Sequence, residues 1–96
     1  MKKKSIKTNN SKERVGIIGI FVNNNDCVQE VNSILGDFYQ HFRGRLGIPK
    51  VNENSHISAI SLIFVGNTDD MGALTGRLGQ LKGVEVKTLL SKEETE

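Results

Sequence analysis

RVGIIGIFV, residues Arg14 to Val22, runs through the loop NNND, Asn23 to Asp26, into CVQEVNSILGDFYQHF, Cys27 to Phe42, and the change of rhythm along this stretch decides the fold. The first run is short, rich in β-branched residues and closed by turn-forming asparagines, so it reads as a strand. From Asp26 onward Val28, Val31, Ile34, Leu35, Phe38 and Phe42 recur at three and four residues, a spacing that lines one face of a helix. Asp26 is the expected N-cap, with Gln29 three residues on as in a capping box, and Gly44 is the expected C-terminal stop.

Working outward, RLGIPKV (Arg45 to Val51) reads as a short strand that Pro49, lacking an N–H, pushes toward a sheet edge or a bulge. Asn52 to Ser55 suits a turn, and HISAISLIFV (His56 to Val65) reads as the third strand. A second helix is expected from Asp69 or Asp70, whose carboxylates favour a helix N-terminus, with Met71, Leu74, Leu78 and Leu81 as its apolar stripe and Gly83 as its end. Val84 to Leu90 alternates as a half-buried strand. The order β-α-β-β-α-β is the α+β, ferredoxin-like sandwich, a four-stranded antiparallel sheet with two helices on one face. Its first and third strands are apolar on both alternation sets: Val15, Ile17 and Phe21 against Ile18, Ile20 and Val22, then Ile60, Leu62 and Phe64 against Ile57, Ile63 and Val65. A chain this short has no third layer to cover the second set, so a homo-oligomer, dimer or tetramer, is expected.

The chain has 96 residues, the size of one domain. Residues 14–90 are read as that domain, residues 1–13 as a basic flexible tail and residues 91–96 as a charged C-terminal tail. The net charge of +2 is uneven: residues 1–12 hold five lysines and no acid, and the remaining eight bases face eleven acids, leaving the folded part at −3. A nucleic-acid reader carries its basic patch on the folded surface, whereas here the excess lies in the leader, which reads as a solvated tail or as a weak contact for an acidic partner. One cysteine builds no intramolecular disulfide framework, and no run approaches the ~20 apolar residues of a membrane span. No signal-peptide pattern follows the N-terminal lysines. A cytoplasmic protein without membrane contact is expected.

Cys27, His41 and His56 are the soft or borderline metal-ligand candidates, and their spacing forms no zinc motif, so no metal site is expected within one subunit. The alternative is a transition metal shared by these residues across a subunit interface. No local signature joins a nucleophile, a base and an orienting group, and the glycines of GIIGIF lie within a strand, not in a phosphate-binding turn, so no enzyme activity is expected. In the second helix Gly72, Gly76, Gly79 and Gly83 form a stripe away from the apolar face, at a cost of roughly 1 kcal/mol for each interior glycine. Close approach of a ligand or subunit would explain them, and so would a poorly formed helix. The loop Asn23, Asn24, Asn25 and Asp26 could hold a small polar ligand with its amides and the first N–H groups of the helix, or form a plain Asx turn. Asn23 to Asp26 together with Gly72, Gly76 and Gly79 make the expected ligand region; no cofactor can be named from these residues.

The stretch MGALTGRLGQLKGVEVKTL (Met71 to Leu89), with RVGIIGIFV and RLGIPKVNEN in support, resembles a family of short ACT-like proteins described as iron-only hydrogenase system regulators. The family is also similar to the ligand-binding C-terminal domain of nickel-responsive transcription regulators. The resemblance implies a ferredoxin-like fold that assembles through its sheets and a regulatory role, by effector binding or protein contact, in control of transcription for such a hydrogenase system. The nickel regulators hold their metal with several histidines and a cysteine around the second and third strands, where this chain has His56, Ser58 and Ala59. Their N-terminal DNA-binding arm finds too few residues here, so no direct DNA binding is expected from this chain alone.

Overall fold

The structure, a computed structural model, describes residues 13–23 and 25–92; Asn24 and the greater part of both expected tails, residues 1–12 and 93–96, lie outside the described residues. Four strands and two helices follow in the expected order: β1 Arg14–Val22, α1 Val28–Asp37, β2 Phe42–Ile48, β3 Ser58–Gly66, α2 Thr68–Gly79 and β4 Val84–Leu90. The sheet order is β2-β3-β1-β4, antiparallel throughout. The two strands with double-sided apolar patterns are therefore the central pair, in register from Arg14 opposite Gly66 to Val22 opposite Ser58.

One set of each central strand faces the helices. Ile18, Ile20 and Val22 of β1 and Leu62 and Phe64 of β3 are buried against Val31 and Leu35 of α1 and Leu74 and Leu78 of α2. Burying side chains of this size contributes about 1.5–3 kcal/mol each before the entropy of ordering them is subtracted. The helices are tied at their outer ends by Arg77, whose Nη2 lies 3.0 Å from Asp37 Oδ2 and whose guanidinium sits 5.7 Å over the Phe38 ring. Both charges are largely exposed, so the pair sets geometry more than stability.

Several boundaries differ from the sequence reading: β2 runs over Phe42–Ile48 instead of Arg45 to Val51, β3 over Ser58–Gly66 instead of His56 to Val65, and both helices start and stop elsewhere. Helix α1 stops at Asp37, and a 3-10 turn over Tyr39–His41 reverses the chain so that Phe42 begins β2, leaving Gly44 inside that strand. Phe38 and Phe42 kept the helical spacing because Phe42 does point at the core, but from the sheet: it pairs with Phe64, ring centroids 6.0 Å apart, just before a bulge between Phe42 and Gly44. At the other end of α1 a 3-10 turn over Asn25–Cys27 precedes the helix, and Cys27, not Asp26, is the N-cap, without a side-chain cap bond. Helix α2 begins at Thr68, directly after its N-cap Asn67, whose Oδ1 accepts from the Asp70 amide at 2.7 Å. It ends at Gly79, and Leu81 extends its apolar stripe through a turn closed by Gly83 at φ 83°. Only glycine holds that left-handed conformation without strain.

Asn67→Ala removes the one cap side chain of α2 and is expected to cost about 1 kcal/mol, whereas Asn67→Asp stays near wild type; urea unfolding of the two variants checks this. Gly83→Ala is expected to cost a further ~1–2 kcal/mol in the same measurement.

Candidate functional site

The second apolar set of the central strands forms a contiguous apolar surface on the open face of the sheet. Cross-strand register places Val15, Ile17, Gly19 and Phe21 of β1 beside Val65, Ile63, Ser61 and Ala59 of β3, on the sheet face turned away from the helices. The outer strands extend it, with Leu46 opposite Ser61 and Ile48 opposite Ala59 on one side and Leu89 opposite Ile17 on the other. Five large apolar side chains there are exposed: Ile17, Phe21, Ile48, Leu46 at 64% and Leu89 at 68%. Scattered surface leucines need no explanation, but a contiguous apolar sheet face does. Its relief is uneven, because Gly19, Ala59 and Ser61 are small while Phe21, Leu46 and Ile48 stand around them, leaving a hollow of about 220 Å³. A side chain at position 19 would meet nothing within 4 Å. Charge enters at the β4 edge, where Glu85 lies opposite Phe21 and Lys87 opposite Gly19.

The expected ligand residues are distributed differently. Asn23 is exposed, and its amide donates to the Gly83 carbonyl at 2.7 Å, which sets the start of the β1–α1 loop beside the turn that follows α2. Asn24 lies outside the described residues; Asn25 and the exposed Asp26 belong to the 3-10 turn. Gly72, Gly76 and Gly79 lie on the exposed side of α2, and a Cβ at any of them would meet open space. Gly83, closing the turn, is the one member of the glycine series bonded to the loop.

The three metal-ligand candidates occupy different structural settings. Cys27 is buried at the start of α1, its thiol donating to the Lys82 carbonyl at 3.1 Å. His41 stacks on Phe64 with ring centroids 4.8 Å apart. Its Nδ1 donates to the Val65 carbonyl at 3.2 Å, and Nε2 lies 3.5 Å from Asp70 Oδ2, an ion pair when that nitrogen carries a proton as well. The ring thereby pins the turn before β2 to the end of β3 and the first turn of α2. His56 is exposed in the β2–β3 loop. Among the described residues no three histidine, cysteine or acidic side chains converge.

A βαββαβ chain whose sheet runs β2-β3-β1-β4, with both helices on one face and an apolar opposite face, is a protein of the ACT-like, ferredoxin-like class. Within that class the chain belongs to the TM1266-like family, described as "Iron-only hydrogenase system regulator, putative", which it matches over residues 14–88. It is similar to the uncharacterized protein TM1266 from Thermotoga maritima, with a TM-score of 0.77 and 32% identity, over 84% of this chain and 100% of that one. It shares its fold with the ACT domain from GTP pyrophosphokinase of Chlorobium tepidum, at a TM-score of 0.58 and 21% identity, over 83% of this chain and 88% of that domain. No curated protein matches it. The family and the fold read from the sequence are thus borne out. No helix among the described residues is long and apolar enough to cross a membrane.

Sequence reasoning found the face but not its relief. The hollow depends on Leu46 and Ile48 standing beside Gly19, and their side of β2 follows from the bulge at its start, which no residue pattern marks. The α2 glycines give a direct test of their two readings: Gly72→Ala and Gly76→Ala are each expected to raise stability by roughly 0.5–1 kcal/mol, read as a higher urea midpoint, because helix propensity improves and nothing is displaced.

Proposed function

We propose that this chain is a non-catalytic regulatory module that works as a homo-oligomer, two copies stacking their open sheet faces, and that it answers a small-molecule effector or a partner protein in the hydrogenase system for which its family is named. The observation that carries the reading is the apolar open face of the two central strands, where Ile17 and Phe21 lie exposed beside Ile63 and Val65. A second copy is the occupant this face suits best. It offers both hollow and knobs, since Leu46 stands beside a depression floored by Gly19 and Leu89 projects from the same face opposite Ile17, as a self-complementary interface requires. It also offers both charges, with Glu85 and Lys87 two residues apart on one edge strand, so a two-fold arrangement can set the acid of one copy against the base of the other.

The family description and the ACT-like fold support regulation over catalysis.

Light scattering on the purified protein is expected to give a multiple of the single-chain mass. Phe21→Glu, which sets a second carboxylate opposite Glu85 on the apolar face, is expected to give the single-chain mass with an unchanged far-ultraviolet circular dichroism spectrum. A wild-type monomer, or an oligomer indifferent to Phe21→Glu, overturns the reading.

A further inference from the structure

A second hollow lies on the helix side, where α1 leaves the far end of β2 and β3 uncovered. It measures about 190 Å³, and its walls are Val22, Val28, Val31, Ile48, Pro49 and Ile60. The opening exists because position 47 is glycine: Gly47 pairs with Ile60 on the helix side of the sheet, and a Cβ there would meet nothing within 4 Å. Arg45, two residues earlier and on the same side, crosses to α1 and donates from Nη2 to Asn32 Oδ1 at 2.8 Å. That bond fixes the orientation of the Asn32 amide and leaves its NH₂ as a donor. Ser58, also in the wall, spends its hydroxyl on the Pro49 carbonyl at 2.8 Å. The rim is therefore cationic and donor-rich, no carboxylate lines the cleft, and among the described residues none pairs with Arg45.

We propose that this cleft is a binding site for a small aliphatic monocarboxylate, its apolar body against Val22, Val31 and Ile60 and its carboxylate on the Arg45 guanidinium and the Asn32 amide. A guanidinium presents paired N–H donors that match a carboxylate, and an apolar wall gives the remainder of such a ligand a place out of water. The size follows from the volume: an apolar cavity of about 150 Å³ takes a benzene ring, so a cleft of about 190 Å³ takes a body on the order of six heavy atoms. The charge follows from the donor set. A zwitterionic amino acid would bring an ammonium group for which the cleft has no acidic partner, and an unpaired charge beside apolar walls is costly. Ile48 and Ile60 border both this cleft and the hollow of the open face, so an occupant here touches residues of the surface that the second copy covers.

This inference rests on the reading of the chain as an effector-binding module, and the test keeps the two apart. The full chain, labelled with nitrogen-15, is titrated with 3-methylbutanoate, and light scattering on the same samples reports the oligomer independently. Saturable shifts are expected at the amides of Val22, Val31, Gly47 and Ile60, with leucine and 3-methylbutan-1-ol at least about tenfold weaker. Arg45→Gln is expected to weaken binding by about tenfold or more, and Gly47→Val, which fills the cleft with a residue suited to a strand, to abolish it. Absence of shifts with an intact oligomer overturns the site and leaves the oligomeric reading standing. Leucine binding as tightly as 3-methylbutanoate overturns the ligand class, and shifts unaltered by both substitutions overturn the location.

Discussion

Two helices can cover only one face of a four-stranded sheet, and the two central strands of this chain are apolar on both. Every other feature of the molecule answers to that mismatch. The helix-facing set, Ile18, Ile20, Val22, Leu62 and Phe64, supplies the core and fixes which way each strand is turned. Once that orientation is fixed, the pleat leaves no freedom for the remainder: Ile17, Phe21, Ile63 and Val65 must point the other way, because side chains alternate across a strand. A slip of one residue would exchange one apolar set for the other in β1, at little cost in hydrophobicity. The packing at Gly66 opposes it, since a Cβ there would lie 2.8 Å from both His41 and Phe64, while Gly16 receives the flexible end of Met71.

The element order was legible because each period was clean and each break was chemical: asparagines after β1, glycine and a charged turn before β4. What the sequence concealed lies where two periods agree. Phe38 and Phe42 are four residues apart and both face the core, which a continuing helix and a turn into a strand satisfy equally well. Burial alone cannot tell them apart, and the decision falls to the ring packing of Phe42 on Phe64 and of His41 beside it. The cap of α1 was concealed for a similar reason, since Asp26 has the chemistry of a cap but belongs to the short 3-10 turn that precedes the helix.

The candidate surfaces were legible in proportion to how local they are. The apolar open face follows from alternation within single strands and needs no tertiary knowledge. The cleft beside α1 follows from an absence, the missing side chain of Gly47, together with a contact between Arg45 and Asn32 that spans thirteen residues and a change of element. The α2 glycine stripe was conspicuous in the sequence, yet it faces open space, while the glycine that meets the Asn23 loop is Gly83, at the turn beyond the helix. The proposed interface and the proposed ligand cleft meet at Ile48 and Ile60, on opposite sides of the same two strands. A sheet is stiff along its hydrogen bonds and thin across them, so a change of packing on one face has a short path to the other.

The most direct measurement of the central claim is an isotope-filtered nuclear Overhauser experiment on a mixture of labelled and unlabelled chains, which records contacts between copies alone. Contacts between copies from the methyl groups of Ile17, Leu46 and Leu89 and from the ring of Phe21 are what stacking of the open sheet faces predicts. Contacts confined to the outer surfaces of α1 and α2, or none at all, would contradict it.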